Sequence, residues 1–133
     1  MYGDPENFDL KHALAKKHKV NFENIVVGEG IDGLLGYLVR LIIKKGDNVV
    51  TTDGAYPTFN YHVEGFGGNL HKVPFCNDTE DLQKLLDKVK ETSAKILYVS
   101  NPNNPMGTIN KPCLLYTSPS PRDYAASRMP SSA

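Results

Sequence analysis

Apolar and polar positions along this chain follow two alternating periods. Over residues 9–18, Leu10, Ala13, Leu14 and Lys17 fall at the three- and four-residue spacing of one buried helical stripe. Ile25-Val26-Val27 is a short apolar run of strand type that ends at Gly28. Residues 31–45 predict a strongly apolar helix with Leu34, Leu35, Leu38, Val39 and Ile42 toward a core. Lys44 and Lys45 suit its negative C-terminal end, and Gly46 closes it. A second strand is expected over residues 48–52, then a short helix over 57–63 entered through Tyr56-Pro57, then a third strand over 70–73. Asp78 or Thr79 is placed to cap a helix whose stripe is Leu82, Leu85, Leu86 and Val89. A fourth strand over 96–99 is stopped by Asn101-Pro102. Strands alternating with helices imply βαβ units, an α/β class and a mainly parallel sheet.

Ligands of such sheets sit at the carboxyl ends of the strands. One such end is the turn Gly28-Glu29-Gly30-Ile31-Asp32-Gly33, which follows a strand-like run and opens a helix. Glycines allow a tight turn and close backbone approach, and a helix start offers free N–H groups, so a phosphate is the natural guest. The same spelling satisfies the dinucleotide fingerprint, with Asp53 placed about 20 residues on for a ribose hydroxyl. Glu29 opposes that reading, because a carboxylate repels a pyrophosphate. An ordinary strand-to-helix turn also explains the spelling.

Asn101-Pro102-Asn103-Asn104-Pro105-Met106-Gly107-Thr108 is the most informative stretch. Each proline fixes its own φ and holds the residue before it extended, so the loop is stiff and carries side-chain amides at a strand end. Those amides could donate to a phenolate or carboxylate, or bond their own backbone in a turn.

The stretch resembles the N-P-N-N-P-x-G loop of pyridoxal-phosphate-dependent aminotransferases of fold type I, most closely the class I/II branch that includes histidinol-phosphate aminotransferases. Tyr2-x-Asp4-Pro5, the glycine turn, Gly46-Asp47-x-Val49 and Tyr56-Pro57-Thr58-Phe59-Asn60-Tyr61 also occur in the family's order, the last with a one-residue spacing difference. The resemblance covers about residues 1–110. Met106 stands where the family more often has Thr.

The resemblance implies a pyridoxal 5'-phosphate cofactor and assigns roles. Asn104 would hydrogen-bond the phenolic oxygen, and Tyr56 would stack on the pyridine ring. Gly30, Ile31 and Asp32 would present the helix start to the phosphate, and Tyr2 would reach the phosphate of a neighbouring subunit's cofactor. It implies a small-molecule amino donor, a 2-oxo acid acceptor, a cytoplasmic homodimer when full length, and no nucleic-acid or membrane partner. Histidinol phosphate is the first substrate expected. Residues 1–112 would then be part of an α/β/α large domain in which strands 3, 2 and 4 are neighbours and strand 1 pairs only with a late antiparallel strand. In the family, the Schiff-base lysine, the acid on the pyridine nitrogen and the carboxylate-binding arginine all follow the loop by many residues. None of the 12 lysines here stands in that position. No catalytic residue is therefore assigned, and the chain is expected to be an inactive part of a longer enzyme. Without the resemblance, a nicotinamide-dependent dehydrogenase using Gly28, Gly30, Gly33 and Asp53, or a non-catalytic binding module, would remain.

Composition then changes the picture at one place. All 11 glycines lie between Gly3 and Gly107, whereas 8 of the 21 residues from Cys113 onward are Ser or Pro. Such composition is that of a disordered polar tail. Cys113-Leu114-Leu115-Tyr116-Thr117-Ser118-Pro119-Ser120-Pro121-Arg122-Asp123 also resembles an in-frame translation of a transposase sequencing adapter, and Ser127-Arg128-Met129-Pro130-Ser131-Ser132-Ala133 resembles translated flow-cell primer. Residues 113–133 are accordingly expected to be non-native.

Fifteen basic against fifteen acidic residues, with a mean hydropathy of −0.38, supply no dense positive field for nucleic acid or a membrane surface. Removing Arg122, Arg128 and Asp123 leaves 13 basic and 14 acidic residues, still near neutral. No apolar run reaches the roughly 18 residues of a transmembrane helix, and the start lacks a signal-peptide pattern. Cys76 and Cys113 make neither a disulfide framework nor a metal site. His12, His18, His62 and His71 lack metal-ligand spacing.

Overall fold

Three of the four expected strands form, and they form one parallel sheet. The structure, a computed structural model, describes residues 3–110. Tyr2 and residues 113–133, named above, lie outside the described residues. The elements run α1 (Phe8–His18), a 3-10 turn (Phe22–Asn24), α2 (Gly30–Ile42), β1 (Asn48–Thr52), α3 (Thr58–Gly65), β2 (Asn69–Val73), α4 (Leu82–Thr92) and β3 (Ile96–Tyr98). Two compact units divide between Leu35 and Gly36, inside α2.

In the first unit the Asp4 carboxylate accepts the N–H groups of Glu6 and Phe8, which starts α1. The expected stripe of α1 is wrong. Leu10, Ala13 and Lys17 are exposed, Leu14 is half-buried and Ala15 is the buried residue. The helix instead turns Phe8 and His12 onto Phe22, with ring centroids 4.3–5.3 Å apart, and Lys11 lies over the Phe22 ring at 4.2 Å. Aromatic contact at the i, i+4 positions decides the face, where apolar counting alone chose another.

Residues 25–27 do not form the expected strand. Ile25 has extended dihedrals (φ −112°, ψ 123°), but no ladder forms there among the described residues. Extended backbone becomes a strand only through a hydrogen-bonded neighbour, and the neighbour implied by the resemblance lies far along the chain.

In the second unit the strand order is β2-β1-β3, all parallel, with Val50 opposite His71 and Leu97. This is the neighbourhood expected of strands 3, 2 and 4. Val50, Val73, Leu85 and Val99 form a buried cluster on one face, with Leu82, Val89, Ala94 and Leu97 packed against it. The predicted stripe of α4 is therefore its true buried face. On β1, Thr51 points opposite to Val50 and is paired with Tyr98, whose ring stacks on Phe59 of α3 at 4.3 Å. Helices α3 and α4 thus cover opposite faces, an α/β/α arrangement. A Cβ on Gly36 would lie 2.9 Å from the His62 ring, so a side chain there would have to displace that ring.

Helix α2 ends three residues before the expected stop. Ile43 is buried and Ile42 exposed, the reverse of the expected stripe. Lys44 N–H is taken by the Asp47 carboxylate at 2.7 Å, and Lys95 reaches the same oxygen at 2.8 Å, so the chain turns into β1 early. Lys95 foremost holds the Asp47 carboxyl below its ordinary range.

The cap of α4 is Asp81, not Asp78 or Thr79. Its carboxylate accepts Lys84 N–H at 3.1 Å, which holds its pKa below the ordinary value. Thr79 is spent in a bridge with Cys76. Because a lowered carboxyl stabilises only while ionised, this cap is present at neutral pH and lost as pH falls through the lowered value. Asp81→Ala should cost about 1 kcal/mol at neutral pH, read as roughly fivefold faster hydrogen exchange at the Lys84 amide. Unchanged exchange there would contradict the cap. Among the described residues no helix is long and apolar enough to cross a membrane.

Candidate functional site

Beyond β3 the chain enters the asparagine-proline loop, and its asparagines divide the work. Asn101 and Asn110 close the base: Asn110 N–H donates to Asn101 Oδ1 at 3.0 Å, and Asn101 Nδ2 donates to Asn110 O at 3.3 Å. Asn103 holds the tip from inside. Its N–H donates to Thr108 O, its carbonyl accepts from Gly107 N–H (both 2.8 Å), and its Oδ1 accepts from Met106 N–H at 3.2 Å. Gly107 takes φ +70°, and the Asn101-Pro102 and Asn104-Pro105 peptides are cis.

Of the two alternatives left open by the spelling, the structure shows bonding within the loop, at Asn101 and Asn103. Asn104 is exposed, and its amide makes no hydrogen bond among the described residues.

Tyr56 meets Asn104 through the backbone. Its N–H donates to Asn104 O at 3.1 Å. The turn that brings it there starts at Asp53, whose N–H donates to Val73 O at 2.8 Å. Gly54 follows at φ +90°, where a Cβ would stand 3.0 Å from the Phe75 ring. Ala55 is buried, Tyr56 is exposed, and Pro57 begins α3. Beyond the carboxyl ends of β1 and β3, a backbone hydrogen bond therefore links an amide side chain without a partner and an aromatic ring without a ring contact among the described residues.

In the first unit the glycine turn does open a helix. Gly30 N–H donates to Gly28 O at 2.9 Å, Gly30 takes φ +75°, and α2 begins there. Gly30, Ile31 and Asp32 are exposed in its first turn, where the N–H groups of a helix have no partner within it.

One residue escaped the sequence reading. Glu80 is only 4 % exposed, and its Oε1 accepts the Asn103 amide at 2.9 Å. Its Oε2 and Thr52 Oγ1 are buried without a hydrogen-bond partner in good geometry. Burial pushes the Glu80 carboxyl above its ordinary range, opposed by the Asn103 amide, the nearby Thr52 hydroxyl and the Ser100 backbone. In the sequence it is one acid in a polar run, Asn77-Asp78-Thr79-Glu80-Asp81, and no local pattern marks it.

Residues 1–114 match the family described as "Aminotransferase class I and II". The chain is 35% identical over 109 residues to the histidinol-phosphate aminotransferase of Moorella thermoacetica, covering 82% of this chain and 28% of that protein. It is 32% identical over 108 residues to histidinol-phosphate aminotransferase 2 of Bacillus thuringiensis subsp. konkukian, covering 81% of this chain and 29% of the relative. The chain thus spans less than a third of the length of these curated relatives.

The crystal structure of histidinol-phosphate aminotransferase from Sinorhizobium meliloti in complex with pyridoxal-5'-phosphate superposes with a TM-score of 0.74 at 54% identity, over 79% of this chain and 29% of that one. A structure from Erwinia carotovora atroseptica reaches 0.81 at 24% identity over 86% of this chain and 34% of its own, a likeness of fold. These matches displace the dinucleotide reading of the glycine turn, which also lacks the preceding strand that reading requires. The chain carries part of the large-domain fold of a pyridoxal-phosphate enzyme and belongs to the class I and II aminotransferase family.

Proposed function

We propose that the full-length protein is a pyridoxal-phosphate-dependent aminotransferase, acting in the cytoplasm as a homodimer. It passes an amino group from an amino acid or amine, histidinol phosphate first, to a 2-oxo acid. The observation that carries the cofactor reading is the unpartnered Asn104 amide, set beside Tyr56 by a backbone hydrogen bond while its neighbours Asn101 and Asn103 are spent on the loop.

These residues fit the cofactor. When bound, pyridoxal phosphate supplies a carbonyl for the amino group and a ring that accepts electrons from the substrate. Asn104 would donate its amide N–H to the phenolic oxygen, a neutral donor that orients without adding charge, and the Tyr56 ring would stack on the pyridine. By the family resemblance, the first-turn N–H groups of α2 at Gly30, Ile31 and Asp32 would serve a phosphate, and Tyr2 would serve the phosphate of a neighbouring subunit's cofactor.

Transamination also needs a lysine to carry the proton, and by the family's order of motifs we assign that role to none of the 12 lysines here. Residues 1–112 alone should therefore turn over no substrate. Residues 113–133 are read as translated adapter. Resequencing past codon 112 should give natural sequence that continues to an Asp, a Tyr and a Ser-x-x-Lys lysine.

The test is transamination by the purified full-length protein with pyridoxal phosphate, histidinol phosphate and a panel of 2-oxo acids. Aromatic amino acids serve as competing donors, and faster turnover of one of them would move the substrate assignment within the family. Asn104→Ala should weaken pyridoxal phosphate binding about ten- to hundredfold, the size of one hydrogen bond to a charged oxygen. Unchanged affinity would remove Asn104 from the site.

A further inference from the structure

Among the described residues Glu80 is the single ionisable side chain that is buried. It sits immediately before the Asp81 cap of α4 and receives no cation: the lysines in ion pairs are Lys84, Lys88 and Lys95, on Asp81, Glu91 and Asp47. A buried carboxyl without a counter-charge is costly, and removal of its environment's donors would leave nothing to hold it.

Its donor is Asn103, itself 5 % exposed, so the bond between them is dry from both sides and electrostatically stronger than one in water. A second bond fastens the same two segments, from Thr108 Oγ1 to Asp78 O at 2.8 Å. The segment 78–80 therefore grips the loop at both ends of its tip, residues 103 and 108. The next residue after Asn103 is Asn104, whose carbonyl is fixed by Tyr56 and whose amide is free.

We propose that Glu80 is a positioning residue for the cofactor loop: by taking the Asn103 amide it fixes the tip so that the Asn104 amide is left to face the cofactor's phenolic oxygen. This rests on the cofactor reading above. The groups facing Glu80 are neutral, namely Asn103 and Ser100 from the loop and Thr52 from the end of β1. Without the Glu80 acceptor, the buried Asn103 amide would have to find another partner, and the nearest change open to it is to turn the tip.

The charge is not what the role requires. Burial holds the carboxyl above its ordinary range, so ionisation costs stability as pH rises from the unfolded value through the raised one. Glu80→Gln keeps an acceptor for Asn103 and removes that cost, whereas Glu80→Ala removes the acceptor.

The experiment uses the full-length holoenzyme and apoenzyme, with pyridoxal phosphate as the probe. Three readouts are taken: cofactor affinity by absorbance titration, the pH midpoint of the bound cofactor's absorbance change, and hydrogen exchange at the Met106 and Gly107 amides in the apoenzyme. Glu80→Ala should weaken the cofactor about tenfold, shift the midpoint in the same direction as Asn104→Ala, and speed exchange at both amides about tenfold. Glu80→Gln should restore all three to within about twofold of wild type.

If Glu80→Ala does not fold, Asn103→Ala breaks the same bond from the loop side and should give the same midpoint shift. Wild-type affinity and midpoint in Glu80→Ala, or in Asn103→Ala, alongside altered values in Asn104→Ala, would overturn the positioning role while leaving the cofactor reading intact. Wild-type values in Asn104→Ala would overturn that reading, and this proposal with it.

Discussion

Residues 1–112, expressed without the remainder of the protein, are expected to elute as aggregate or as a loosely packed chain with no sharp unfolding transition. The sheet has three strands, and both β2 and β3 present an unpaired edge among the described residues. Open parallel edges are templates for further pairing. Parallel sheets are stable when covered on both faces and continued at their edges, and this one is only part of a larger sheet.

Apolar side chains are also left exposed. On α2, Leu41 is 84 % exposed and Tyr37 and Ile42 are exposed beside it. Elsewhere Val26, Ile31, Tyr61 and Ile109 stand in the open. Such surface in a small chain drives association. Size-exclusion chromatography, dye binding and thermal circular dichroism test this. A monomer with one sharp cooperative transition would contradict it.

Leu85→Ala in the full-length protein carries a large expected cost, about 2–5 kcal/mol. Leu85 is fully buried at the centre of the cluster with Val50, Val73 and Val99, and it joins α4 to β1, β2 and the end of β3 at once. Truncation there removes the side chain and leaves a cavity that three strands and a helix cannot close together. Lys90→Ala, on the exposed side of the same helix, should change stability by less than about 0.5 kcal/mol. Denaturant unfolding of both variants reads the difference. A loss below about 1 kcal/mol for Leu85→Ala would mean that the cluster does not hold this layer.

The same residues show how far local pattern reaches. The stripe of α4 was legible because Leu82, Leu85 and Val89 meet one apolar sheet face. The stripe of α1 was not, because its partner is an aromatic on a one-turn helix rather than a broad apolar surface. Asp81 replaced Asp78 and Thr79 as the cap because Thr79 is engaged with Cys76, a contact made across a turn whose closure spacing alone does not reveal. At Ile25 the backbone is extended as expected, but pairing is a property of two segments.

What the sequence determined by itself is the α/β alternation and the stiff loop Asn101 to Thr108, while the neighbours of the central strand and Tyr56 as the loop's companion were implied by the family resemblance. These follow from periodicity, from proline's fixed φ and from an ordered set of motifs, all local to the chain. What only the tertiary structure decided is which of those groups is free to act. Asn101, Asn103 and Asn104 are chemically identical, yet bonds to Asn110 and Glu80 consume the first two and leave the third. Glu80 owes its burial to the return of the loop over the ends of β1 and β3, so its role arises from segments more than twenty residues apart. A side chain's availability is set by the partners that folding brings to it, and those partners are not written beside it.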